Sequence, residues 1–85
     1  VPNIKSAKKR LRQSEKRRLR NKGVRSRIRT AIRKLLATTD ADEARAQLPE
    51  LYALLDRAAD RGILHPNTAS RQKARLARHV ESLAA

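Results

Sequence analysis

Between Val1 and Ala37 this chain carries fifteen Lys and Arg residues and a single acid, Glu15. Their net charge of +14 equals that of the whole 85-residue chain, so the residues from Thr38 onward balance. A segment charged in this way cannot bury itself, because a desolvated ammonium or guanidinium needs a partner and Glu15 is the only carboxylate nearby. It must stay in water or meet a polyanion, and the core must be built elsewhere.

Only two residues are glycine, and Ala, Leu, Arg, Lys, Glu and Gln dominate. These are the strong helix formers. The pattern predicts three helices, from about Ser6 to Ala37, from about Ala41 to Arg61, and from just after His65-Pro66. The expected fold is all-α: a three-helix antiparallel bundle with a long, basic, projecting N-terminal helix. Residues 1–85 form one domain, with 1–22 as a basic extension and 23–85 as the bundle.

The apolar positions give the phase. Val24, Ile28, Ala31, Ile32 and Leu35 form one stripe on the first helix. Ile4, Ala7 and Leu11 lie at least a quarter turn away from it, and Gly23 at the junction weakens the helix locally. On the second helix Ala44, Leu48, Leu51, Leu55 and Ala58 make a clean seam. Asp40 with Glu43 resembles a capping box. Pro49 is expected to kink this helix or to start its main part. Gly62 suits a C′ position, with Ile63 covering the end. On the third helix Asn67 is the expected N-cap, and Ala69, Leu76, Val80 and Leu83 form the stripe. The expected core is thin and aliphatic. A chain this small without cysteine looks to a partner for robustness.

Several functions are excluded. With no cysteine there is no disulfide or thiolate metal site. No apolar run approaches the ~20 residues that span a bilayer, and no apolar h-region follows the basic start. An initiator Met is expected to have been removed before Val1. His65 and His79 lack the neighbours of a metal or catalytic centre; His65, beside Pro66, is expected to cap a helix or touch a phosphate. No phosphate-binding glycine loop exists. The expectation is a non-enzyme with no cofactor, no metal, no membrane and no small-molecule substrate.

The cations Lys5, Lys8, Lys9, Arg10, Arg12, Lys16, Arg17, Arg18, Arg20 and Lys22 point in nearly every direction around the first helix. A coiled coil or a membrane-surface helix needs an apolar face, and a solvated helix mixes signs. Phosphates on several sides suit this pattern. Like charges at i,i+4, such as Lys8–Arg12 and Lys16–Arg20, oppose helix formation in water, so the segment is expected to order fully when bound. Past Gly23 the pattern becomes sided: Lys22, Ser26, Arg29 and Arg33, flanked by Thr30, lie opposite the apolar stripe. Hydroxyls among arginines suit phosphate and sugar contacts. Arg71, Arg75 and Arg78 share an outer face of the third helix.

Composition leaves the polyanion open. One aromatic residue, Tyr52, argues against base-stacking modules. Zinc-finger spacing and basic-zipper heptads are absent, and no convincing helix-turn-helix is visible. Helical recognition of backbone and shape fits folded RNA, and it also fits a DNA-compacting nucleoid protein. A basic adaptor helix for an acidic protein is a third reading.

Two ordered motifs then narrow the choice. PNIKSAKKRLRQSEKRRLRN (Pro2 to Asn21) with RSRIRTAIRK (Arg25 to Lys34), followed by LDRAADRGILHPNTASRQKARL (Leu55 to Leu76), resemble the bacterial small-subunit ribosomal protein number twenty family. The similarity covers nearly the whole chain. It implies a cytoplasmic ribosomal protein, in a bacterial or organellar ribosome, that binds small-subunit rRNA directly and stabilises its folding during assembly. It further implies a bridge between the 5′ domain and the long penultimate stem, made by a monomer with few protein contacts. Carried onto this chain, the RNA-facing positions are Asn3, Lys5, Ser6, Lys9, Arg10, Arg12, Ser14, Arg17, Asn21, Ser26, Arg29 and Thr30, then His65, Asn67, Arg71, Lys73 and Arg75. Asp56, Gly62 and Leu76 look structural. Pro49, the short second helix and Gly23 depart from the family pattern.

Overall fold

The computed structural model describes residues 2–84, with side chains from Ile4 onward. Helix α1 is Pro2–Ala37, α2 is Ala41–Asp60 and α3 is Pro66–Ala84. Among the described residues no strand occurs. Three residues separate α1 from α2 and five separate α2 from α3, so each helix folds back on its predecessor as short connections require. The result is a three-helix antiparallel bundle. α2 is its hub: it packs on both α1 and α3, which scarcely touch each other.

Burial follows the expected stripes. The core is Ile28 and Leu35 from α1, Ala44, Leu51, Leu55 and Ala58 from α2, Ile63 from the second connection, and Ala69, Leu76 and Val80 from α3. Val24, Ala31, Ile32, Leu48, Leu54 and Leu83 pack around it half-buried. Among the described residues no polar or charged residue is buried. Every core contact is therefore aliphatic, and dispersion and apolar transfer hold the bundle together.

The connections show why the helices stop where they do. Asp40 Oδ1 accepts from the Asp42 N–H at 2.8 Å and the Glu43 N–H at 3.4 Å, which satisfies two otherwise free donors of α2. Asp42 and Glu43 add negative charge at its positive end. The Glu43 carboxylate does not bond back among the described residues, so only the Asp40 half of the expected capping box forms. Thr38 Oγ1 donates to Lys34 O at 2.8 Å and accepts from Gln47 Nε2 at 2.9 Å, fastening the α1–α2 turn. At the other end of α2 Gly62 has φ +74. Gly62 N–H reaches Ala59 O at 3.1 Å and Ile63 N–H reaches Ala58 O at 2.9 Å. These two bonds define a Schellman motif, which places Ile63 inward.

Three details refine the sequence expectation. α3 begins at Pro66, and of the two expected caps it is His65 and not Asn67 that closes it. His65 Nδ1 accepts from the Asn67 N–H at 3.1 Å, and His65 O accepts from the Ala69 N–H at 3.1 Å. Pro66 at the first helical position loses nothing, since its missing N–H would have been free there. Pro49 does not start the main part of α2, which runs through it unbroken, and it is exposed. Gly23 lies inside an unbroken α1, as in the expected helix from about Ser6 to Ala37. Its penalty of about 1 kcal/mol against Ala is diluted by strong helix formers on both sides.

α1 has 36 residues, about 54 Å at 1.5 Å per residue, and sets the long dimension of a molecule measuring 67 × 20 × 13 Å. All side chains from Ile4 to Arg20 are exposed, so this arm has no tertiary support. Ile28→Asp puts an unpaired carboxylate into the α1–α2 seam and should cost on the order of 3–5 kcal/mol. A urea midpoint unchanged from wild type would show the phase of α1 to be wrong. In the free chain the amides of residues 5–22 should exchange hydrogen near the intrinsic rate, while Leu35, Leu51, Leu55 and Leu76 approach the global-unfolding limit. Uniform protection along α1 would contradict an unsupported arm.

Candidate nucleic-acid interface

No cation of α1 forms an ion pair within the protein among the described residues. Among the described residues two ion pairs form, Arg45–Asp42 at 3.4 Å and Lys73–Asp56 at 2.8 Å, and neither involves α1. Lys5, Lys8, Lys9, Arg10, Arg12, Lys16, Arg17, Arg18, Arg20 and Lys22 are all exposed, as are Ser6 and Ser14. The side chain of Asn3 lies outside the described residues.

One shallow depression of about 560 Å³ gathers part of this set. Ser14, Arg17, Arg18, Asn21, Lys22, Arg25, Ser26 and Arg29 line it. It straddles Gly23, the junction of arm and bundle. It holds five cations, two hydroxyls and an amide, and no carboxylate. Such a surface concentrates anions and offers guanidinium forks to their oxygens. Asn21 Oδ1 is buried in its wall and receives no hydrogen bond.

Seven of these eight residues were expected from the sequence. Arg25 was missed as a site residue. Its guanidinium Nη2 donates to Ile63 O at 3.1 Å, which ties the rim of the depression to the turn after α2. The available signal was its place four residues after Asn21 and four before Arg29, one helical turn from each. Thr30 and Arg33 are exposed further along α1 and do not line the depression.

The α3 set stands apart. Arg71, Arg75 and Arg78 are exposed on the side away from Leu76 and Val80, and no α3 side chain lines the depression. His65 and Asn67 are exposed at the start of α3, with the His65 imidazole engaged in the cap. Lys73 is half-buried: its ammonium pairs with the exposed Asp56 and sits 5.9 Å from the Tyr52 ring centroid. Tyr52 in turn donates to Lys73 O at 3.3 Å. Lys73 thus joins α2 to α3 in this structure.

The arrangement has no nucleophile–base pair, and no metal-holding cluster exists among the described residues. A helical bundle with an unpaired basic arm defines a class of polyanion-binding architectural proteins. Comparison with known proteins narrows that class. The family model described as Ribosomal protein S20 matches residues 2–81. The chain is 48% identical to the small ribosomal subunit protein bS20 of Halalkalibacterium halodurans, over 98% of this chain and 94% of that one. It is 44% identical to the bS20 of Shouchella clausii and 45% identical to that of Salinispora tropica, each over the full length of both chains. The chain belongs to the ribosomal protein S20 family, whose members are structural components and not enzymes.

Arg25→Gln should remove the bond to Ile63 O and cost about 0.5–1.5 kcal/mol. A denaturant titration giving an unchanged midpoint would mean that this contact holds nothing.

Proposed function

We propose that this protein, a constituent of the small ribosomal subunit, binds small-subunit rRNA directly through α1 and stabilises its folding during assembly. The observation that carries the reading is the carboxylate-free depression from Ser14 to Arg29 on a helix whose cations are all unpaired. α1 lies between rRNA helices and neutralises phosphates that otherwise repel each other. The bundle fixes the angle at which the arm leaves, and the outer arginines of α3 reach a further stretch of backbone. The protein acts as a monomer with few protein contacts. The 5′ domain and the long penultimate stem are the rRNA regions it joins.

Recognition is by backbone and shape. With Tyr52 half-buried, no free aromatic ring is offered to a base. RNA is favoured over DNA by the exposed hydroxyls of Ser14 and Ser26, which can serve phosphate and a ribose 2′-hydroxyl alike.

If about 8–10 phosphates are contacted, log affinity for rRNA should fall with log salt at a slope of roughly −6 to −9. Filter binding would compare small-subunit rRNA with an RNA duplex and a DNA duplex of equal length. A slope shallower than about −3 rejects a phosphate-dominated mechanism. Equal affinity for all three ligands rejects selective rRNA binding in favour of general polyanion binding.

A further inference from the structure

We infer that the chain carries a second phosphate-binding site, formed by Arg27, Arg57 and Arg61 where α1 meets the C-terminal end of α2. It takes the backbone of an RNA segment other than the one held on the Ser14–Arg29 face. The inference rests on the rRNA-binding reading above. Neither the charge pattern of the sequence nor family membership assigns these residues a role. The stretch from Thr38 to Leu64 is net acidic by composition.

The three guanidinium-bearing side chains rim one small depression with an apolar floor that includes Val24, Leu54 and Ile63. Its volume is about 70 Å³, against about 560 Å³ for the Ser14–Arg29 depression. All three arginines are exposed, and none pairs with a carboxylate among the described residues. Arg57 in the last turn of α2 and Arg61 at its cap have a structural reason to be basic, the negative end of the helix dipole. Arg27 has none. It comes from the middle of α1 and adds a third positive charge to one depression, a concentration of charge that an anion would relieve. Arginine forks match phosphate oxygens in pairs, which favours phosphate over a halide or a lone carboxylate. A second depression lined by Arg27 and Arg57 continues along the α1–α2 groove past Ser26, Thr30 and Lys34, a path suited to consecutive phosphates. Glu50 is the one acid on that path.

Helix geometry separates the two sites. At 100° per residue Arg18, Arg25 and Arg29 fall within about 20° of one line along α1, and Arg27 lies half a turn from it. The body of α1, roughly 10–12 Å across with side chains, stands between them. One strand cannot fill both sites.

The test uses the full chain and small-subunit rRNA, with salt-dependent filter binding and hydroxyl-radical footprinting. Two variants are compared, R27Q/R57Q/R61Q and R17Q/R18Q, with circular dichroism confirming that both fold. The triple variant should lower the magnitude of the log–log salt slope by about 2–3 and weaken binding at fixed salt by roughly tenfold or more. It should lose protection over one rRNA segment, and R17Q/R18Q should lose protection over a different one. A triple variant with the wild-type slope and footprint overturns the site. So does one that only melts earlier, since that result assigns the arginines to the helix dipole alone. Identical footprint losses in both variants overturn the claim of a separate segment. Wild-type protein that gives no rRNA footprint overturns the rRNA-binding reading itself, and this is seen without any variant.

Discussion

Repulsion among the cations of α1 is the constraint around which the rest of the molecule is arranged. Lys8 and Arg12, or Lys16 and Arg20, sit one turn apart with the same sign, and Glu15 forms no ion pair among the described residues. A helix half so charged cannot enter a core without partners that this chain lacks. The burial boundary on α1 therefore falls near Gly23: side chains through Arg20 are exposed, and apolar packing begins with Val24. The protein is divided between a part with an aliphatic core and a part without one.

The stable part is correspondingly economical. α2 touches both neighbours and is punctuated at each end by polar devices that use little apolar area. Asp40 holds two backbone donors at the start, and the Gly62 turn hands Ile63 to the core at the finish. Between these ends Leu51 and Leu55 supply the largest fully buried side chains of α2. With no polar residue buried among the described residues, the core needs no buried hydrogen-bond network to align. The few cross-helix polar contacts, such as Tyr52 to Lys73 O and Lys73 to Asp56, sit at its margin.

Much of this was legible from residue spacing. Repeats of three and four placed Ile28, Leu35, Leu51, Leu55, Leu76 and Val80 inside, and glycine after α2 implied its left-handed stop. What was misread depends on competition between local rules. His65 and Asn67 both have side-chain acceptors that can cap. Pro66 settles the choice, because its fixed φ suits the first helical position and leaves His65 as the residue before it. Pro49 looked like a boundary because proline is costly inside a helix, yet tertiary packing of Ala44, Leu51 and Leu55 on either side holds α2 together. The site was half legible. The charge run named the α1 residues, whereas the contacts of Arg25 and Lys73 follow from where Ile63 and Asp56 lie in space, which one-dimensional spacing does not contain.

The arm also changes what kind of particle this is. A radius of gyration of 17.6 Å compares with about 12 Å for a compact domain of 85 residues. The accessible surface of 6774 Å² exceeds by about a third what a globular monomer of 9.6 kDa presents. Hydrodynamically the chain is a short rod with a knob at one end. Its translational friction is that of a larger protein. Its charge is strung along the rod, so a polyanion can be engaged from many approach angles before the bundle is oriented.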